Sequence, residues 1–269
     1  MKKTFFTLLL IPSLVPSLTH AEYAPIKQCS SSKEYITTYN YLKNKKEYSL
    51  KNNDLLRVSD SVSKGCTNAA KRFISISNLL VKAGLETSDA INTALKFSDK
   101  SDRSSETFIT IFKESFLKEY LDLDIKSAVD TALSLSLKEI EDPILIRNDF
   151  QKIVRFCLSS RGFDMSGKHC AKLASDVLQN TVKYNQAMSS YFLDLYEFST
   201  ENQKLNLAHF QALELAKEIT SFGPESIKNF KNGYLFAISK KGLDKNKKEA
   251  IEFAKLMAKR TIELESSGK

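Results

Sequence analysis

The sequence predicts an all-α fold of stacked antiparallel helical hairpins, a solenoid-like helical repeat with about ten helices. Gly and Pro are scarce, with 8 and 5 in 269 residues, and apolar residues recur three and four positions apart. No run alternates Val, Ile and Thr in the way that a half-buried strand requires. A pair of small residues one helical turn apart also returns at intervals of about 40 residues, the length of a two-helix unit.

The first 21 residues have the features of a cleaved signal peptide. Met1-Lys2-Lys3 is a basic start, an apolar stretch follows, and Thr19-His20-Ala21 places small residues where signal peptidase reads them. Pro12 and Pro16 interrupt the apolar stretch, which is too short for a permanent anchor. We therefore expect a bacterial protein that is exported to the periplasm or beyond it, with residues 22–269 as the mature chain and no transmembrane segment.

Caps and apolar periodicity place the helices in order. A capping box at Ser31-Ser32-Lys33-Glu34 begins the first helix, and Gly84 closes the second, which begins at Thr67. Asp142-Pro143 is an N-cap followed by proline at the first helical position. One long helix is expected to include both Ala174 and Phe198. The other helices are expected to begin near Ser88, Glu106, Asp124, Thr200 and Gly223, and Gly242 is expected to close the helix before the last one, with turns at 99–105 and 161–168.

Pairs of small residues four positions apart recur at intervals of 38 or 42 residues. The pairs are Ala90/Ala94, Ala128/Ala132, Cys170/Ala174, Ala212/Ala216 and Ala250/Ala254. Small side chains one turn apart let a second helix approach the backbone closely. We therefore expect the helices marked by these residues to lie side by side in order, with Ala212 and Ala254 buried. Alanine pairs also occur in ordinary helices, so a globular bundle with one shared core is the competing prediction.

The arrangement is distantly similar to tetratricopeptide and Sel1-like helical repeats. The chain has no Trp and therefore lacks the tetratricopeptide Trp-Leu-Gly-Tyr positions, and it lacks the paired glycines of the Sel1-like unit. The resemblance is one of architecture and carries no functional residues to this chain. The repeated small-residue pairs themselves predict a single all-α helical-repeat domain over residues 22–269.

The four cysteines Cys29, Cys66, Cys157 and Cys170 are an even number in an exported chain, which favours two disulfides. Three pairings are possible, and Cys29–Cys66 with Cys157–Cys170 is favoured because each bridge is local. The first bridge would tie residues 22–66 to the domain as an N-terminal segment. A metal site that uses His169 beside Cys170 is the alternative, but the chain has no CxxC or HxxxH spacing.

The charge of the mature chain is basic but dispersed. Without Lys2 and Lys3, 38 basic residues face 32 acidic ones, which leaves +6. Lysine runs lie beside glutamates, as at 43–49 and 245–249, which is typical of a solvated helical surface. Weak attraction to an anionic lipid or wall polymer is the sharper interpretation, and no specific nucleic-acid binding is indicated.

Catalytic signatures are scarce. His169 is expected at the surface, and His209 is expected to be a partly buried structural group. No nucleophile elbow, zinc-protease pair, phosphate loop or dinucleotide turn is present. Two groups of acids are the remaining enzymatic option, since a glycosidase needs only two carboxylates. These acids are Glu114, Glu119, Glu139, Glu141 and Asp142. The absence of Trp and the favourable placement of acids before a helix argue for structural roles. The aromatic residues between Tyr184 and Phe198 are interpreted as core or packing between repeats.

These observations predict an exported, non-enzymatic scaffold that binds a protein or peptide on a helical-repeat surface, without cofactor or metal. An all-α hydrolase that acts on cell wall or lipid is the first alternative. A basic protein that docks on anionic envelope polymers is the second.

Overall fold

The structure is a computed structural model that describes residues 30–65, 67–159, 162–163 and 165–267. Within these ranges the fold is all-α, with twelve α-helices, one 3₁₀ turn at Lys46–Tyr48 and no strand. The predicted signal peptide lies outside them. The helices are α1 (Ser32–Asn44), α2 (Asn52–Ser63), α3 (Ala69–Lys82), α4 (Thr87–Leu95), α5 (Asp102–Phe116), α6 (Ile125–Ser136), α7 (Pro143–Leu158), α8 (Gly167–Tyr184), α9 (Ser189–Thr200), α10 (His209–Thr220), α11 (Pro224–Ile238) and α12 (Lys247–Ser267).

Several predicted helix ends are confirmed. Ser31 accepts a hydrogen bond from the Glu34 amide at 3.4 Å and caps α1. Asp142 accepts one from the Ile144 amide at 3.1 Å and caps α7. Gly84 follows α3 with a φ of 95°, a left-handed conformation that glycine adopts without strain.

The prediction of about ten helices was too low, because two helices escaped it. α2 begins after Lys51, whose side chain makes no capping hydrogen bond, so the sequence carries no start signal there. The predicted long helix is divided into α8 and α9 by Asn185, which takes a left-handed conformation with a φ of 48°. Asparagine tolerates this conformation better than most residues, and it ends a helix as glycine does.

Three predicted boundaries were wrong for local reasons. Thr200 ends α9 rather than capping the next helix, since its hydroxyl donates back to the Tyr196 carbonyl at 3.2 Å. The turn predicted at 99–105 is shorter, because Ser101 caps α5 at Asp102. α11 ends at Ile238, four residues before the Gly242 that was expected to close it.

Consecutive helices pack in pairs. α1 packs with α2, α3 with α4, and so on to α11 with α12, and we number these pairs hairpins 1 to 6. The first helix of each pair is called an A helix and the second a B helix. Each A helix also packs against the next A helix. Among the described residues, extensive packing is confined to helices one or two positions apart, so α3 and α12 do not share the core that a globular bundle would require.

Two columns of buried side chains run through the hairpins. The small-residue pairs of the B helices are all fully buried, and the prediction for Ala212 and Ala254 is confirmed. The A helices contribute a phenylalanine each from hairpin 2 onward, also at 0% exposure, namely Phe73, Phe108, Phe150, Phe192 and Phe230. From hairpin 3 onward each phenylalanine precedes the first small residue of its B helix by 20 positions. From hairpin 2 onward each hairpin therefore buries one large ring on its A helix and two small side chains on its B helix.

The loops inside hairpins 3 to 6 share one geometry. In each, an amide donates to the carbonyl of the A-helix residue eight positions earlier. The pairs are Leu123 to Ser115, Met165 to Cys157, Leu207 to Ser199 and Lys245 to Ala237. The residue before the donor is left-handed at Asp122, Asn206 and Asp244, with φ of 48°, 43° and 48°. Short Asx side chains tolerate this conformation, which explains their recurrence.

One of the two predicted disulfides lies within the described residues and is confirmed. Cys157 and Cys170 are bridged with a Cα–Cα distance of 5.7 Å, and they clip α7 to α8. Cys29 and Cys66 lie outside the described residues, so their pairing stays a prediction.

Candidate interaction surfaces

Both histidines within the described ranges lie at the surface. His169 is exposed, with Nδ1 at 2.8 Å from Ser166 Oγ. The prediction that His209 is partly buried was wrong. His209 is exposed at the first position of α10, where the next residue, Phe210, is also 71% exposed. Its Nδ1 hydrogen-bonds the Tyr196 hydroxyl, and burial raises the pKa of Tyr196, so the phenol is neutral. In the described hydrogen bonds no carboxylate orients either imidazole as a catalytic base would require.

The acids before α7 are structural or solvated. Asp142 is the N-cap of α7 and lies 3.4 Å from the Arg103 guanidinium. Glu139 and Glu141 are exposed. A carboxylate at a helix N-terminus is stabilised by the helix dipole, which accounts for Asp142 without a catalytic role.

Glu114 is the one candidate acid with an unusual environment. It is 7% exposed in α5, and the Gln151 side chain of α7 donates to Oε1 at 2.6 Å. Oε2 has no hydrogen-bond partner among the described residues. Burial raises the pKa of Glu114, because the charged form loses solvation. Glu119 is exposed. Glu114 thus lies inside a junction between hairpins rather than in an open acid pair.

Sequence reasoning missed two buried acids that join neighbouring hairpins. Asp149 of α7 is 2% exposed and accepts from the Met188 amide at 2.8 Å, the Ser189 amide at 3.2 Å and both nearby hydroxyls, those of Ser189 and Thr181. Its carboxylate therefore caps the start of α9 from the preceding hairpin. Glu34 of α1 does the same for α3, accepting from the Ala70 amide at 2.6 Å. The missed signal is an acid on the apolar face of an A helix.

Arg72 joins hairpin 2 to hairpin 3. Its guanidinium donates to the carbonyls of Gly65, Thr67, Phe97 and Ser98, and to the Asp102 carboxylate at 2.8 Å. The hydrogen bond from Arg72 holds the pKa of Asp102 below its usual value. Every donor of this buried cation is used, so it stabilises the stack and offers nothing to a ligand.

The disulfide removes Cys170 as a ligand of the zinc site that the sequence left as an alternative. Cys170 Sγ is bonded to Cys157 Sγ, so it cannot coordinate a metal beside His169. The described residues contain no group of three His, Cys, Asp or Glu side chains that could hold a metal ion. No helix in this part of the chain is both long and apolar enough to cross a membrane.

An exposed polar stripe follows the A helices of hairpins 3 to 6. We define this A-helix stripe by residues that are all exposed, Lys113, Lys152, Arg155, Asp194, Glu197, Lys228 and Asn232. They recur on four consecutive A helices that pack against one another, so the stripe crosses the hairpins. Lys152 Nζ reaches Ser190 Oγ of the next hairpin at 2.6 Å, while Arg155 has no ion pair among the described contacts.

A groove of about 740 Å³ lies between the B helices α6 and α8. Its lining mixes apolar and polar residues, and the charged ones include Asp124, Asp130, Lys168 and Lys172. A Cβ added at Gly167 would lie 1.8 Å from the Leu121 carbonyl oxygen, so only glycine lets the two hairpins approach here. Acids and lysines are mixed along the groove, which indicates no particular ligand.

An apolar surface lies on hairpin 6. We call it the end face and define it by Phe236, Leu243, Phe253 and Leu256. Phe236, Leu243 and Leu256 are 52%, 42% and 62% exposed, and Phe253 is half-buried. The rings of Phe236 and Phe253 lie 6.5 Å apart, and Phe253 and Leu256 line one shallow groove of about 540 Å³. The Leu243 amide donates to the Phe236 carbonyl at 3.3 Å, so Leu243 lies beside the other three residues and the four belong to one patch.

Comparisons with known protein families, with curated proteins and with solved structures find no match. The function must therefore be argued from the surfaces just described.

Proposed function

We propose that the chain is an exported, non-enzymatic scaffold of six stacked helical hairpins that binds a protein or peptide along its A-helix stripe. The observation that carries the proposal is the recurrence of one hairpin geometry. The buried phenylalanine, the buried pair of small residues and the eight-residue loop hydrogen bond return at the same relative positions in hairpins 3 to 6. Such recurrence makes a surface of repeated exposed positions, on which extended partners dock.

The burial of the polar groups supports binding rather than catalysis. The hydrogen bonds of Asp149, Glu34 and Arg72 join neighbouring hairpins. Glu114 also lies inside such a junction. The candidate acids of a hydrolase are thus either internal or solvated. A glycosidase would require two carboxylates facing one cleft.

Export is part of the proposal. The Cys157–Cys170 bridge supports it, because stable disulfides are typical of oxidising compartments. The basic N-terminal segment, the apolar stretch and the small residues before Glu22 support it from the sequence.

Site-specific photocrosslinking in the exporting cell tests the proposal. A photoreactive amino acid replaces Lys152, which lies on the A-helix stripe. In the matched control it replaces Glu214, which is exposed on a B helix. We expect a discrete protein or peptide adduct at position 152 and not at position 214. Equal adducts at both positions, or turnover of wall or lipid substrates by the purified protein, would contradict the scaffold.

A further inference from the structure

We infer that the end face is a second docking surface, which receives an amphipathic helix with an acidic polar side from another protein. This adds a site to the scaffold proposed above and does not depend on the A-helix stripe. The equivalent positions of the preceding hairpins are covered by the next hairpin in each case.

Phe236 occupies the position that Phe198 holds in hairpin 5. Both lie 14 residues before the first small residue of their B helix. Phe198 is 4% exposed because Tyr234 of α11 packs on it edge to face, with ring centroids 6.0 Å apart. Phe156 of hairpin 4 is covered in the same way by Tyr196, at 5.7 Å. Among the described residues no further hairpin packs on Phe236, which is 52% exposed.

The leucine in the loop of each hairpin shows the same difference in exposure between hairpin 6 and the earlier hairpins. Leu243 corresponds to Leu205 of hairpin 5 and to Leu121 of hairpin 3, which are 0% and 3% exposed. The hairpin 5 loop is covered by hairpin 6, since the Tyr234 hydroxyl donates to the Lys204 carbonyl and Lys247 Nζ donates to the Asn206 carbonyl at 3.1 Å. Leu243 is 42% exposed. The end face therefore has the form of a surface that a helix covers elsewhere in the same molecule.

Leu256 departs from its equivalents in a way that extends this surface. The corresponding B-helix positions are polar in the other hairpins, as at Asp176 and Glu218. Those two acids pair across to the next hairpin, with Lys217 and Lys255 at 3.3 and 2.9 Å. At hairpin 6 the bridging acid is replaced by an exposed leucine, so the last position offers apolar contact instead of a salt bridge.

The positive charge around the end face favours an acidic partner. Residues 240–248, which border the end face, contain five lysines and one aspartate. Residues 224–260 as a whole contain ten basic and four acidic residues, a net +6 that equals the excess of the mature chain. A second copy that met this end through its own hairpin 6 would bring like charge. Hairpin 1 is also basic, with seven basic and four acidic residues in 31–65, so head-to-tail stacking is likewise opposed. An acidic helix is complementary to the lysines of this segment, and Lys245 and Lys248 line the same groove as Leu256, together with Glu249 and Glu252.

A synthetic probe tests the end face directly. The probe is a fluorescent amphipathic peptide with Leu and Tyr at helical spacing and Glu at the remaining positions, and its matched control carries Lys in place of Glu. Binding to the mature, disulfide-bonded protein is followed by fluorescence anisotropy. We expect the acidic peptide to bind at least about tenfold more tightly than the basic one.

Variants then localise the binding. The double variant Phe236→Ser with Leu256→Ser should lower the affinity for the acidic peptide by about tenfold or more. The control variant Phe210→Ser, which changes an exposed ring on α10, should leave that affinity unchanged. The stripe variant Lys152→Glu with Arg155→Glu should also leave peptide binding unchanged, so loss of one site is distinguishable from loss of the other. Circular dichroism checks that each variant is folded, which exposed positions should permit.

Three outcomes would overturn the inference. Equal binding of the two peptides, or no binding of either, removes the acidic helix as the occupant. If analytical ultracentrifugation shows a dimer, and the double variant Phe236→Ser with Leu256→Ser is monomeric, the end face binds a second copy of the chain. Binding to phosphatidylglycerol vesicles that requires Phe236 and Leu256, without peptide binding, assigns it to a membrane surface.

Discussion

Replacing Asp149 with alanine tests whether the buried polar junctions hold the hairpins together. The Asp149 carboxylate accepts two backbone amides and two hydroxyls at 2% exposure. The hydroxyls of Thr181 and Ser189 can turn toward helix carbonyls after the change, but the amides of Met188 and Ser189 cannot. Each buried donor left unpaired costs about 1–3 kcal/mol, so two of them predict a loss of about 4 kcal/mol in the free energy of unfolding.

Asp149→Asn is the matched control. The asparagine carbonyl can still accept both amides, while its NH2 group replaces the oxygen that accepts the Ser189 hydroxyl, and that hydroxyl can turn to accept instead. Since hydrogen bonds to charged groups are worth about 1 kcal/mol more than neutral ones, we expect a loss of about 1–2 kcal/mol. The measurement is urea unfolding followed by far-ultraviolet circular dichroism at neutral pH.

The shape of the transition carries additional information. Because Asp149 joins hairpins 4 and 5, its removal should also uncouple them and broaden the alanine variant's transition or divide it into two steps. If Asp149→Ala lost less than about 1 kcal/mol and kept one sharp transition, the carboxylate would not be holding the junction, and the reasoning would fail.

Three further predictions concern other junctions. Glu114→Gln should stabilise the protein at neutral and higher pH and have little effect in acid. Burial raises the pKa of Glu114 in the folded state, so its contribution is most favourable below the unfolded pKa and is lost as the pH rises through the folded pKa, which urea titrations across pH would reveal. Replacing Cys157 and Cys170 with serine should lower the free energy of unfolding by about 3 kcal/mol, from the entropy of closing the loop between them, and equal midpoints for oxidised wild type and the variant would contradict this. Ala254→Leu should cost about 1–3 kcal/mol by overpacking, and a neutral result in thermal melts would show that the helix contact is loose.

The sequence predicted the fold class because its signals are local and recurrent. Capping residues such as Ser31 and Asp142 act through the next three residues, so a single chain reveals them. The small-residue pairs were visible because close helix contacts exclude large side chains in every hairpin. The phenylalanine column from Phe108 to Phe230 follows the same spacing as the small residues and is equally visible in the sequence.

The missed elements depend on tertiary contacts. α2 has no capping side chain, and it is held by its packing against α1. The break at Asn185 has no glycine or proline to mark it, although the adjoining Tyr184 hydroxyl is fixed by the Ser221 carbonyl at 2.7 Å. Asp149 could not be assigned as a cap from sequence, because the amides that it accepts lie 39 and 40 residues away.

The two kinds of surface at the hairpins have different energetic roles. Between hairpins, buried polar groups fix which helix follows which, since Glu34, Arg72 and Asp149 would each leave unpaired partners in any other order. The end face has exposed apolar side chains with lysines at its border, so it constrains a partner less strictly. Its helix is nevertheless held firmly, because Ala254 of α12 approaches Gly233 of α11 so closely that an added Cβ would meet Ala254 Cα at 3.3 Å. A surface fixed before binding pays little ordering entropy, and apolar contact with bordering charge is then enough to select an acidic helix.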